Sequence, residues 1–183
     1  MPRHLILTAG LLAGLTCRAA YAVPLVPGQD FQREQGEYKS AIDGQVGGWT
    51  AGRLLDDQGR TMLCVATDDR QRLTLTANRS ALQLRIDDPS WSLAPGVIYP
   101  MTLKVGPLAQ SFEMETDGAT TLRADQIEPT DLIALLDAMG KASRVNLDQS
   151  GASERMIALA GSTKVLSLFR ACATRAGFAN LAE

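Results

Sequence analysis

Leu73-Thr74-Leu75-Thr76-Ala77 and, a short step on, Leu82-Gln83-Leu84-Arg85-Ile86-Asp87 decide how this chain folds. In both stretches every second residue is apolar and those between are polar. A strand turns successive side chains to opposite faces, so this period of two puts one face on a core and the other in water. Between them, Asn78-Arg79-Ser80 has the composition of a turn; it also fits a glycosylation acceptor, a match that adds nothing if the host is bacterial.

The reading extends outward in both directions. Upstream, Leu54-Leu55, the turn cluster Asp56-Asp57-Gln58-Gly59 and the apolar run from Thr61 to Thr67 predict a hairpin whose second strand is buried on both faces. Downstream, Val97, Tyr99, Met101, Leu103 and Val105 share one parity. Pro100 lies in that strand and cannot donate to a ladder, so the expectation is an edge or a bulge there. Phe112 and Met114 alternate with charge, Asp117-Gly118 turns the chain, and residues 120–123 add a short strand.

Then the period changes. Leu132, Ile133, Leu135, Leu136 and Met139 fall at helical spacing after Pro129, with Gly140 as the stop. Val145 and Leu147, then residues 156–160, suggest two more strands. Val165, Leu168, Phe169, Cys172 and Ala176 make a second amphipathic stripe, with Ser162 as N-cap and Gly177 just past the end. The expected class is α+β: an antiparallel, curved or sandwich-like sheet of about 7–8 strands with two helices, at about 129–140 and 162–176.

Residues 1–22 carry a basic start, an apolar run of about eleven residues and the small-x-small ending Ala20-Tyr21-Ala22. They predict a secretory signal peptide cleaved near Ala22, so the protein is expected in the periplasm or secreted. Cys17 lacks the surroundings of a lipidation site. No segment has the roughly 18 to 20 apolar residues of a membrane span. Residues 23–47, rich in Gly, Pro, Gln and charge, are expected as an extended lead-in, and residues 48–183 as a single α+β domain.

Cleavage alters the chemistry that remains. His4 is the only histidine, and the balance of 18 basic against 20 acidic residues moves to 16 against 20. Such a chain is no candidate for nucleic acid, which needs clustered cations. The remaining cysteines, Cys64 and Cys172, predict one disulfide between sheet and last helix in an oxidising compartment; two buried free thiols are the alternative.

Without an imidazole, Ser-His-Asp and Cys-His catalysis are excluded, and two cysteines alone make no metal site. Gly161-Ser162-Thr163-Lys164 lacks the upstream glycine of a phosphate loop and reads as a helix start. No cofactor is expected. The acidic doublets at turns are the more informative feature. Asp68, Asp69, Asp87 and Asp88 would crowd at one end of a meander, with Asp56 and Asp57 opposite, forming an acidic rim for a basic partner or a cation. The competing reading is that these residues cap their turns, with Arg70 and Arg72 offsetting the charge. Trp49, Trp91 and Tyr99 are the aromatics that could line a ligand surface or simply fill the core.

Several of these residues carry a resemblance: Trp49, Cys64 within Leu63-Cys64-Val65-Ala66, Pro95-Gly96-Val97, the Leu-rich helix, and Ile157-Ala158-Leu159-Ala160-Gly161-Ser162 before Leu166 to Phe169. In this order the chain resembles the small exported proteobacterial proteins of the invasion-associated locus B type. The resemblance implies a periplasmic, non-enzymatic accessory protein, linked in some members to host-cell association. The functional expectation is a non-catalytic binding protein acting on a protein or envelope partner. Its rivals are an inhibitor or immunity protein for an envelope enzyme, in which acidic loops meet a basic cleft, and a hydrolase using carboxylates alone.

Overall fold

A computed structural model describes residues 30–33, 36–149 and 154–181 of the chain. The expected signal peptide, with His4 and Cys17, lies outside them. Along the chain run β1 (Asp30–Arg33), β2 (Gly36–Val46), β3 (Trp49–Leu55), β4 (Thr61–Asp68), β5 (Leu73–Ala77) and β6 (Leu82–Asp87). There follow β7 (Ile98–Val105), β8 (Leu108–Thr116), β9 (Thr121–Ala124), α1 (Pro129–Lys141), β10 (Arg144–Gln149), β11 (Arg155–Ala158) and α2 (Ser162–Arg175).

All eleven strands of the described residues join one sheet in the order β1-β2-β3-β4-β5-β6-β9-β8-β7-β10-β11, and every neighbouring pair is antiparallel. The class is therefore α+β, with two helices among the described residues, as the sequence predicts. The strand count exceeds the expected seven or eight, and two of the additional strands come from the lead-in: Gly36–Val46 forms β2 and Asp30–Arg33 forms β1. Alternation fails in β2 for two local reasons. A bulge at Asp43 breaks the register between Ile42 and Gly44, which reverses the facing of everything beyond it. Gly44 has no side chain because Leu168 of α2 occupies the space, its Cδ1 only 2.5 Å from where a Cβ would sit.

The first six strands form a meander. Residues 88–97 then cross to β7, and β8 and β9 work back until β9 lies beside β6. Pro100 is thus in an interior strand rather than at an edge. It is tolerated because β10 pairs β7 over Met101 to Lys104, leaving Pro100 beyond that ladder among the described residues.

Leu73, Leu75, Leu84, Ile86, Met101, Leu103, Met114 and Leu122 are sealed on the inner face. Helix α1 opens on Pro129 and buries Leu132, Leu135, Leu136 and Met139, each side chain contributing roughly 1.5 to 3 kcal/mol. Helix α2 lies across β2, β3 and β4 and against α1. Its cap is Gly161, at φ 86°, rather than Ser162, which occupies the first helical turn and donates from Oγ to the Met139 carbonyl. Arg170, nearly buried, donates to the Ile133 carbonyl and pairs with Asp137, tying α2 to α1.

Cys64 of β4 and Cys172 of α2 are joined by a disulfide, their Cα atoms 6.0 Å apart and 108 residues apart in sequence. The sheet curls until its last strand meets the β2–β3 turn and the start of β3. The Trp49 indole donates from Nε1 to the Ala158 carbonyl at 3.0 Å. At the same seam Gly47 and Gly161 touch backbone to backbone: a Cβ on Gly47 would stand 2.4 Å from the Ala160 oxygen, and one on Gly161 2.3 Å from the Val46 oxygen.

Candidate functional site

Where β6 ends and the curled sheet brings β11 across from it, a cleft of about 400 Å³ opens. Ile86, Leu147 and Ile157 form its apolar floor, Pro89 and Trp91 one wall, and Met156 the facing edge. Arg72, Asp87, Asp88, Glu154 and Arg155 ring the mouth.

Each wall has a local cause. In the segment after β6, Asp88 closes a turn on itself: its Oδ1 accepts the Ser90 N–H at 2.9 Å, and its carbonyl accepts the Trp91 N–H at 3.0 Å. This Asx arrangement fixes the rise of Trp91 along the wall. The segment is pinned to the sheet through Asp88 N–H to the Thr120 carbonyl, and Asp87 N–H to the Arg72 carbonyl, both at 2.9 Å.

Two arginines span the cleft in opposite senses. Arg72, beside β5, donates from Nε to Asp68 at 3.2 Å and reaches the Met156 carbonyl of β11 with Nη1 at 3.5 Å. Arg155, on β11, reaches back with Nε to Asp88 at 3.0 Å and Nη2 to Ser90 Oγ at 2.7 Å. Burial pushes the Asp88 carboxyl up, but the hydrogen bonds from the Ser90 hydroxyl and N–H, with the charges of Arg155 and Arg72, outweigh it. The net effect holds Asp88 below the ordinary carboxylate value.

The four carboxylates picked from the sequence do gather at one end of the sheet, but they play different parts. Asp68 is buried, accepting the Leu73 N–H at 2.9 Å and the Arg72 guanidinium, so it holds the turn after β4. Asp69 is exposed and its N–H donates to the Gly48 carbonyl at 2.6 Å, next to the β2–β3 turn. Asp87 accepts the Thr121 hydroxyl at 2.5 Å and lies 3.5 Å from Arg85. Asp87 and Asp88 line the cleft; Asp68 and Asp69 do not. Asp56, in the turn after β3, accepts from Arg60 and from the Gln58 and Arg60 N–H groups.

The aromatic residues also part company. Trp49 is 1% exposed and belongs to the closure of the sheet. Tyr99 is half-buried, and its hydroxyl accepts the Ala94 N–H at 3.2 Å, steadying the crossing segment. Only Trp91 lines the cleft. No group of three or more His, Cys, Asp or Glu is placed to hold a metal ion among the described residues, and none of their helices is long and apolar enough to cross a membrane.

Sequence reasoning missed Arg155, Met156 and Glu154, which reach the cleft only because the sheet curls. Arg72 was legible as a countercharge to the acidic turn but not as a bridge. Compared with known protein families, curated proteins and solved structures, the chain gives no match.

Proposed function

We propose that this chain is an exported, non-catalytic binding protein that engages a protein or envelope partner through the cleft between β11 and the 87–91 segment. The observation that carries the reading is the cleft's make-up: an apolar floor beside Trp91 and Pro89, ringed by charges held in place by ion pairs. That is the pattern of a recognition site, with a buried anchor position and a polar margin.

Two features favour binding over catalysis by carboxylates. A general acid needs its carboxyl raised, whereas Asp88 is held low. Asp68, the buried neighbour, is engaged by Arg72 and a backbone N–H. The single histidine falls in the segment read as a signal peptide, and the disulfide suits the oxidising compartment to which that segment would send the chain. The kinship proposed with invasion-associated locus B proteins is of the same kind, since those act outside the cytoplasm without catalysis.

Site-specific photo-crosslinking tests the reading. A benzophenone side chain at Pro89, in the cleft wall, is expected to capture a discrete species in the cell envelope. The same group at Gly59, in the turn after β3, should not. Equal labelling from both positions, or none from Pro89, refutes the assignment of the site. If the captured species is an enzyme whose activity falls on stoichiometric binding, the inhibitor reading replaces the accessory one.

A further inference from the structure

The outer edge of β11 carries main-chain groups that no strand takes up among the described residues. Val145 pairs with Ile157 and Leu147 with Arg155, and the Leu159 N–H donates to the Ser143 carbonyl at 2.9 Å. In an antiparallel ladder, residues alternate between turning N–H and C=O toward the partner and away from it. The odd-numbered residues here face β10, so Met156 and Ala158 face outward. The Ala158 carbonyl is occupied by the Trp49 indole. Among the described residues the Met156 carbonyl meets only the Arg72 guanidinium, at 3.5 Å, the far limit of a useful hydrogen bond. Met156 is also 56% exposed. Native edges are commonly blunted by side chains; this one is closed at Ala158, and at Met156 it is met by the long Arg72 contact, which an added strand would displace.

The Met156 stretch faces the cleft. A strand laid beside β11 would lie ~4.8 Å from it, and its side chains on the core side would drop toward Ile86, Leu147 and Trp91. The mouth holds three acids, Asp87, Asp88 and Glu154; Arg72 pairs with Asp68, Arg155 with Asp88, and Arg85 lies 3.5 Å from Asp87, so with Asp68 the acids outnumber these arginines by one. The complementary ligand is apolar at one position and basic beside it.

Building on the reading that this cleft is the binding site, we infer that it receives an extended segment of a partner polypeptide. The segment adds a short strand to β11 at Met156, places one apolar side chain against Trp91, and sets a flanking Lys or Arg beside Glu154. Main-chain pairing supplies affinity and the apolar pocket supplies selectivity.

The test uses the purified disulfide-intact protein and fluorescein-labelled nine-residue peptides. Each has one central Phe, Leu or Val among threonines, flanked by Lys or by Glu, with binding read by anisotropy. Lys-flanked peptides are expected to bind, and Glu-flanked ones at least tenfold more weakly. N-methylation of the peptide backbone should cut binding at least tenfold at one of two successive residues and leave it within threefold at the other. Met156→Pro, which removes an N–H that β10 does not use, should match that loss, while Met156→Ala stays within threefold. The inference is overturned if no peptide binds, if Glu-flanked peptides bind as well as Lys-flanked ones, or if N-methylation has no position-dependent effect. Should Met156→Pro not fold, the N-methylated series on the unaltered protein decides alone. Peptides that ignore N-methylation yet are lost on Trp91→Ala would leave the cleft as the binding site and refute strand addition; indifference to Trp91→Ala as well would remove both.

Discussion

Removing the Cys64–Cys172 bridge is the perturbation whose size the structure defines best. The bond closes a loop of 108 residues, and the chain-entropy relation for that length gives about 4.8 kcal/mol at 25 °C. Strain and residual structure usually reduce such values, so the expected loss for the C64A/C172A variant is about 3 to 5 kcal/mol. Both cysteines are buried, so part of the loss would come from two missing sulfur atoms rather than from the cross-link. Reduced wild-type protein keeps those atoms and isolates the cross-link term. Urea unfolding followed by Trp49 fluorescence should show the midpoint falling by roughly 2 M for a typical denaturant slope. The slope itself should steepen, because an uncrosslinked unfolded chain exposes more surface. A loss below ~1 kcal/mol in reduced wild type, with an unchanged slope, would refute the account of the bridge as a constraint on the unfolded chain.

Gly161→Ala should cost at least ~2 kcal/mol, since a side chain at φ 86° is strained and its Cβ would stand 2.3 Å from the Val46 oxygen; Gly59→Ala, at φ 75° with open space around it, should cost only about 1 kcal/mol, and equal losses in urea melts would refute the seam. Trp49→Phe keeps an aromatic ring in the core but strands the Ala158 carbonyl, for an expected loss of about 1 to 3 kcal/mol in urea unfolding read by far-UV circular dichroism, since the variant lacks the Trp49 fluorophore. Asp88 ionises more readily in the folded chain than in the unfolded one, so its contribution is complete above the unfolded-state pKa and drains away as pH falls through the folded value, below about pH 4. The stability difference between wild type and Asp88→Asn should therefore shrink from pH 6 to pH 3, and a constant difference in urea midpoints across that range would contradict the sign.

The parts of this fold written in short-range pattern were legible. Leu73, Leu75, Leu84 and Ile86 announce their strands, and Leu132 to Met139 its helix, because each places a whole face on the core. The cysteine pair was legible by count. β2 was not: a bulge at Asp43 and a glycine kept bare for Leu168 erase its alternation. The site was half legible. Asp87, Asp88 and Trp91 announced themselves as a turn with an aromatic, but their counterparts Arg155 and Met156 lie more than sixty residues on. What unites them is the reversal that sets β9 beside β6 and carries β11 around to the start of β3, which no local stretch encodes. Trp49 misled for a related reason: an indole reads the same whether it lines a ligand face or plugs a seam.

The contact between Gly47 and Gly161 also bears on descent. Neither position can gain a side chain without displacing the other's backbone, so a substitution at one has no compensating substitution at the other. Surface strands, the cleft rim and even the disulfide can drift in a lineage that keeps the curl; this pair cannot. Distant relatives of this chain should retain a glycine in the β2–β3 turn and another before the last helix, and that spaced pair is the signature by which such relatives can be recognised once overall sequence similarity has faded.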